Sequence, residues 1–267
     1  KEGVMRKSKL CLFLIFSITF QFASNGQSNI PEIDKLQTPR EYYLQVKQFG
    51  EFIDRFNYKT DWRGNLITEE FSQKVPRDSY LFYLINQEDQ RLTNPNDSSY
   101  RVVCGEFISF IVNPSHPKEI KLYSGHVKAE ALVNIVCFGK DAQITVEMIP
   151  DALPDRSARW VINGVESSLF ASNADSVKKH FIAPNSHETS FINLKKLNEA
   201  DNAIYYLSNP IANTMVFIKG LEQKKIQIKS IEKVTYSISF SNWEITVEEF
   251  NRTSSNSGWL ISNIQKL

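Results

Sequence analysis

Val234-Thr235-Tyr236-Ser237-Ile238-Ser239-Phe240, followed by Ser241-Asn242 and then Trp243-Glu244-Ile245-Thr246-Val247-Glu248, decides how this chain is read. Val234, Tyr236, Ile238 and Phe240 point one way, and Thr235, Ser237 and Ser239 the other. That period of two is the mark of a half-buried strand. Ser241-Asn242 is a tight corner, after which Trp243, Ile245 and Val247 resume the alternation with Glu244, Thr246 and Glu248 outside. Gly258-Trp259-Leu260-Ile261-Ser262-Asn263-Ile264 then reads as a last strand.

The same order occurs upstream. Ile144-Thr145-Val146-Glu147 reappears as Ile245-Thr246-Val247-Glu248, 101 residues on, and Trp160-Val161-Ile162 returns as Trp259-Leu260-Ile261, 99 residues on. The pattern predicts two related sheets in tandem. The first would be built from Val127 to Phe138, Gln143 to Ile149 and Ala158 to Val165. Earlier segments read as mixed. Thr38-Pro39-Arg40-Glu41 has the form of a capping box with Pro in the first turn. The apolar steps Tyr42, Val46, Phe49, Phe52, Ile53 and Phe56 continue it as an amphipathic helix. Shorter helices are expected over Thr68 to Lys74 and Tyr80 to Gln87. The β-branched run Arg101 to Val112, interrupted at Gly105, reads as a strand, as does Glu119 to Tyr123. In the second half, a helix is expected from Thr189 or Ser190, stopped by Asn209-Pro210. Strands follow at Met215 to Lys219 and Ile226 to Ile231.

Composition bounds the function. Arg6, Lys7 and Lys9 precede the apolar Leu10 to Phe20, and Ser24 and Gly26 precede a cut before Gln27, which is the anatomy of an export signal. Eleven apolar residues are too few for a helix crossing a bilayer, which needs about 20. Residues 1–26, with 1–4 as an extension ahead of Met5, are therefore expected to be a signal peptide, and 27–37 a flexible leader. The expected domains are 38–165 and a shorter 189–267, with 166–188 as linker. The whole chain holds 31 basic and 30 acidic residues, and residues 27–267 hold 27 and 29. This balance lacks the basic excess of a nucleic-acid binder, and no later run reaches membrane-spanning length. The expected location is periplasmic or extracellular.

The capped helix ending Phe49-Gly50-Glu51-Phe52-Ile53-Asp54-Arg55-Phe56-Asn57, the short helices after it and the sheet finishing on Trp160-Val161-Ile162 resemble the nuclear-transport-factor-2-like, or cystatin-like, α+β superfamily. In particular the chain looks like secreted bacterial tandem members with no assigned activity. The resemblance implies two tandem curved antiparallel sheets, cone-like, with helices packed on one face, and a pocket used for binding or assembly in many members and for catalysis in some.

Chemistry is sparse. There is no His-Glu-x-x-His, Cys-x-x-Cys, Gly-x-Ser-x-Gly or phosphate-binding glycine loop, so no metal centre and no cofactor are expected. His126 and Glu130, four residues apart on one strand face, are the candidate base and orienter should they enter a pocket; the alternative is an ordinary solvated strand start. His116, His180, His187 and Glu188 read as loop residues. Trp62 beside Arg63 is the candidate exposed contact, whereas Trp160 and Trp259, at matching positions, read as core. Glu147 and Glu248 match between the copies and read as outward-facing. Cys104 and Cys137 either form a disulfide or are two separate buried thiols. The expected function is a non-catalytic exported module for a small ligand or an envelope protein, with a homodimer among its assemblies. A small-molecule lyase, isomerase or hydrolase is the alternative.

Overall fold

The computed structural model describes residues 45–152, 158–170, 195 and 207–267. The segments 1–26 and 27–37, the capping box at 38–41, the helix expected near 190, His180, His187 and Glu188 all lie outside the described residues. The described chain is α+β. Helices α1 (Phe49–Phe56), α2 (Glu69–Lys74), α3 (Arg77–Phe82), α4 (Gln90–Thr93) and α5 (Ser99–Val112) precede strands β1 (Val127–Cys137), β2 (Lys140–Ala152) and β3 (Ala158–Glu166). Helix α6 (Asn209–Glu222) then precedes β4 (Ile226–Phe240), β5 (Trp243–Phe250) and β6 (Gly258–Lys266).

All six strands belong to one antiparallel sheet, ordered β3-β2-β1-β4-β5-β6. The expectation of two separate sheets is corrected here. The two strand groups meet edge to edge, because β1 and β4 pair along their whole length, from Val127↔Ile238 to Cys137↔Ile226. Two slips in that ladder leave Glu232 and Lys229 as extra residues on β4.

The repeat nonetheless has a structural counterpart. The β2–β3 ladder slips after Glu147↔Gly164, so that Asn163 is extra, and the β5–β6 ladder slips after Thr246↔Asn263, so that Ser262 is extra. Asn163 and Ser262 are 99 residues apart, as are Trp160 and Trp259. The tryptophans therefore mark the true equivalence, and the Ile-Thr-Val-Glu match stands two residues off it. A displacement of two keeps every side chain on its face, which is why both offsets looked sound. Carrying the 99-residue shift from Met148 to Val247, and from each to its ladder neighbour, makes Ala129 equivalent to Tyr236. These two residues pair with each other across β1 and β4. An approximate twofold axis thus passes through the Ala129–Tyr236 pair.

Helices and irregular segments cover one face and form two cores. Phe52, Phe56, Phe107 and Ile111 pack with Ile238, Trp243, Ile245 and Leu260 at one end. Phe217 of α6 and Phe170 pack with Val133, Ile135, Ile144 and Val165 at the other. Strand β1 serves both, with Val127 in the first core and Val133 in the second.

Several segments differ from the sequence reading. Arg101 to Val112 is helix α5, not a strand. Its buried residues Tyr100, Cys104, Phe107, Ile108 and Ile111 fall at helical steps, and that period outweighs the β-branched composition. Met215 to Lys219 is part of α6; Asn209-Pro210 starts this helix, with Ser208 as N-cap, because Pro fits the first turn. Ile226 to Ile231 and Val234 to Phe240 are one strand. Glu119 to Tyr123 is not a strand. The buried Asn57 side chain takes the place of a ladder partner there, accepting from Ile120 N–H at 2.7 Å and donating to its carbonyl at 2.9 Å. Helix α1 begins only at Phe49, because Val46 is drawn into extended pairing. Its N–H donates to Ser257 O at 3.1 Å, and its carbonyl accepts from Trp259 N–H at 2.8 Å.

Gly258 makes that pairing possible: its φ is +82°, and a Cβ there would sit 1.9 Å from Val46 O. Gly105, inside α5, has nothing within 4 Å of an added Cβ. Gly258→Ala is expected to destabilise by about 3 kcal/mol, and Gly105→Ala to stabilise by about 0.5–1 kcal/mol. Urea unfolding of both variants against the parent checks the opposite signs.

Candidate functional site

The sequence-predicted residues do not gather at one place. His126 and Glu130 are both exposed. His126 stands just before β1, its carbonyl accepting from Ser239 N–H at 3.0 Å. Glu130 lies on the face away from the helices, opposite Glu147 in the ladder. The His126 side chain borders a groove that Glu130 does not reach, so the two do not converge in a cavity as a base and its orienter would.

Trp62 is half-buried, edge-on to Phe71 at 4.9 Å, and its carbonyl accepts from Arg55. It joins an aromatic layer with Tyr58, Phe71 and Tyr80. Arg63 is exposed, its N–H donating to the Asp61 carboxylate that shapes the turn. Trp160 and Trp259 are half-buried and converge on the residue at the twofold axis, their rings 5.8 Å and 5.0 Å from that of Tyr236. Phe49 completes the group, stacked on Tyr236 at 3.5 Å. The Tyr236 hydroxyl is raised above its ordinary value of 10.0 by burial first and by Glu249 second.

Glu147 and Glu248 stand on the outer face, each paired with a lysine of the adjacent central strand: Lys128 at 3.3 Å and Lys233 at 2.9 Å. Glu147 also accepts from the bulged Asn163. Such exposed pairs contribute little stability individually, and they keep both carboxylates occupied. Cys104 and Cys137 are unpaired thiols: Cys104 lies in α5 within the first core and Cys137 at the end of β1 beside the second.

Arg91, Asn57 and Arg252 were not singled out in the sequence, yet they organise the surroundings. Arg91 is held by Asp89 at 2.7 Å and lies 3.9 Å over the Tyr100 ring. From there it donates to Ser262 O and to Asn263 Oδ1, both at 2.8 Å, and so grips the bulge of β6. The Asp89-x-Arg91 spacing after a buried run was the available signal. Arg252 donates to Asn86 and Asn256, and Asn256 in turn holds the carbonyls of Tyr83 and Ile85. These bonds fix the 83–88 segment against β6, where Ile85 pairs with Ile261.

Two concave regions among the described residues lie near the sequence-predicted positions and the helices. A cavity of about 480 Å³ lies between α3 and α5, lined by Phe82, Tyr83, Gly105 and Ser109. A groove of about 170 Å³ lies where the 118–126 segment meets the end of β4, and His126 borders it. No group of three or more His, Cys, Asp or Glu among the described residues is placed to hold a metal ion. No described helix is long and apolar enough to cross a membrane. Compared with protein families, characterised proteins and solved structures, the chain matches none.

Tyr100 and Cys104 form an interacting pair in the interior. Burial pushes the Cys104 thiol up to about 11 from its ordinary 9.0, with Arg91 opposing the rise. Burial, aided by Cys104, pushes the Tyr100 hydroxyl up to about 12. The fold therefore favours the protonated thiol. That contribution is complete below pH 9 and is lost as pH rises from 9 through 11. Urea unfolding across that interval is expected to show stability falling with pH, and Cys104→Ala is expected to make the fall shallower.

Proposed function

We propose that the protein is an exported, non-catalytic binding or assembly module whose partner is an apolar protein surface, in the simplest case a second copy of the same chain. The observation that carries this reading is an exposed apolar face on the unit formed by α6 and the start of β4. Ile211, Met215 and Ile218 recur at steps of four and three along the outer side of α6, and are 50%, 36% and 36% exposed. Ile228 and Ile231, on β4, pair with the buried Ile135 and Val133 and so belong to the helical face, yet both are 52% exposed. Five large apolar side chains left open on one αβ unit mark an interaction surface rather than the scatter found on any protein.

The resemblance to the cystatin-like superfamily supports the same reading, since such sheets serve in binding and assembly. On this proposal each three-stranded unit is a curved, cone-like module, and the two have fused through β1 and β4. Export follows from the basic and apolar residues of 1–26. The catalytic candidates His126 and Glu130 do not share a cavity, which favours binding over catalysis.

Light scattering of residues 27–267 is expected to report a dimer. Met215→Glu and Ile231→Lys, both at exposed positions, are each expected to weaken it by roughly tenfold or more, with circular dichroism unchanged. A monomer at all concentrations, or a dimer indifferent to both substitutions, overturns the proposal.

A further inference from the structure

The groove between the 118–126 segment and the end of β4 is lined by residues separate from the apolar face of α6. We infer that it is a binding site for a small organic anion, with the anionic head held at the rim by Lys118, Lys121 and His126, and a short apolar body resting on the floor.

The rim is cationic and unspent. Nine lysines and arginines among the described residues are paired with carboxylates, from Arg55 with Glu51 to Lys266 with Glu106. Lys118 and Lys121 are not among them, and both border the groove, as does the exposed imidazole of His126. Lys118 Nζ lies 5.6 Å over the Phe110 ring, a cation–π contact that leaves it without a carboxylate partner. Glu119 also borders the groove, where two lysines stand against this one carboxylate; its charge raises the pKa of the Arg77 guanidinium, which burial lowers. The groove thus presents a local excess of positive charge on a chain that is otherwise balanced.

The frame is fixed, which a binding site requires. Lys118 N–H donates to Ile111 O at 3.0 Å, and Lys118 O accepts from Arg77 at 2.6 Å. The buried Asn57 secures both backbone groups of Ile120. His126 is tied to β4 through Ser239 N–H. Ser241, held in the left-handed region at φ +50°, also borders the groove. Beneath lie Val127 and Ile238, each 1% exposed, so the floor is apolar and closed. A volume of about 170 Å³ is below that of sites for drug-sized ligands. It fits a single anionic group with a small body.

Titration calorimetry of residues 27–267 with benzoate tests this, with inorganic phosphate as an anion lacking an apolar body and benzylamine as a cation of similar shape. Saturable benzoate binding is expected, tighter than that of phosphate, with none for benzylamine. The exposed Lys121→Gln is expected to weaken benzoate by roughly tenfold, and Lys118→Gln with Lys121→Gln to abolish it. Thermal unfolding of both variants verifies that the fold is kept. Absence of benzoate binding, equal binding of phosphate, binding of benzylamine, or benzoate binding unchanged in Lys121→Gln overturns the assignment. Dimerisation through α6 is read separately by light scattering, so neither result stands in for the other.

Discussion

The pairing of Ala129 with Tyr236 is the constraint on which the rest of the structure depends. Neighbouring strands lie about 4.8 Å apart, and a large side chain at both positions of the axis would crowd the helical face. Ala129 leaves room, and Tyr236 fills it. Its ring is the common neighbour of Phe49, Trp160 and Trp259, which come from α1 and the two outermost strands. One aromatic residue thus ties the first helix to both halves of the sheet. Aromatic contacts of this kind add about 0.5–1.5 kcal/mol each beyond the area they bury. Their placement at the junction stabilises the β1–β4 ladder, where the two halves could otherwise part.

How much of this was legible depends on which signal each residue carried. The alternation in β5 and in the second half of β4 was plain, because one face is covered and the other is wet; β1 read as apolar on both faces, and β4 as two strands, because its first half is exposed on both sides. The repeat was also plain, but its meaning was not. Nothing in Trp160 or Trp259 says whether two similar units stand apart or share an edge. That is settled by the length of the β1–β4 ladder, a contact between residues about a hundred apart in sequence. The misread segments have a single cause. In Arg101 to Val112 and Met215 to Lys219 the β-branched and aromatic residues suggested strands, while in the first of these the buried positions repeat at three and four and the second continues a helix that Asn209-Pro210 starts. Composition and period disagreed, and packing obeys the period.

The candidate site was less legible for a related reason. His126 and Glu130 were correctly placed near one strand, but a strand face says nothing of which side the helices cover. The helices took the side of Val127 and Ala129, which leaves Glu130 outside. The groove at Lys118 and Lys121 is assembled from irregular backbone held by side chains, and no short motif announces it. Asn57 acts on a segment 63 residues away, a distance over which sequence patterns are silent.

The two halves also cover one another crosswise. Helix α5, which precedes β1, packs against β6, and α6, which precedes β4, packs against β3. Each copy's helix therefore shields the other copy's outermost strand. The arrangement is balanced in topology and unequal in mass. Residues 45–93 precede only the first copy, and they lie on the second, where Val46 and Ile85 pair with the β6 edge at Gly258 and Ile261. A strand edge closed this way is no longer a template for another chain. Among the described residues, the first copy receives α6 and the short Ser168–Phe170 turn, and the apolar side chains of Ile228 and Ile231 stay exposed at its border. Among the described residues, the 45–93 flank seals one end of the sheet, and the open apolar surface lies at the other end.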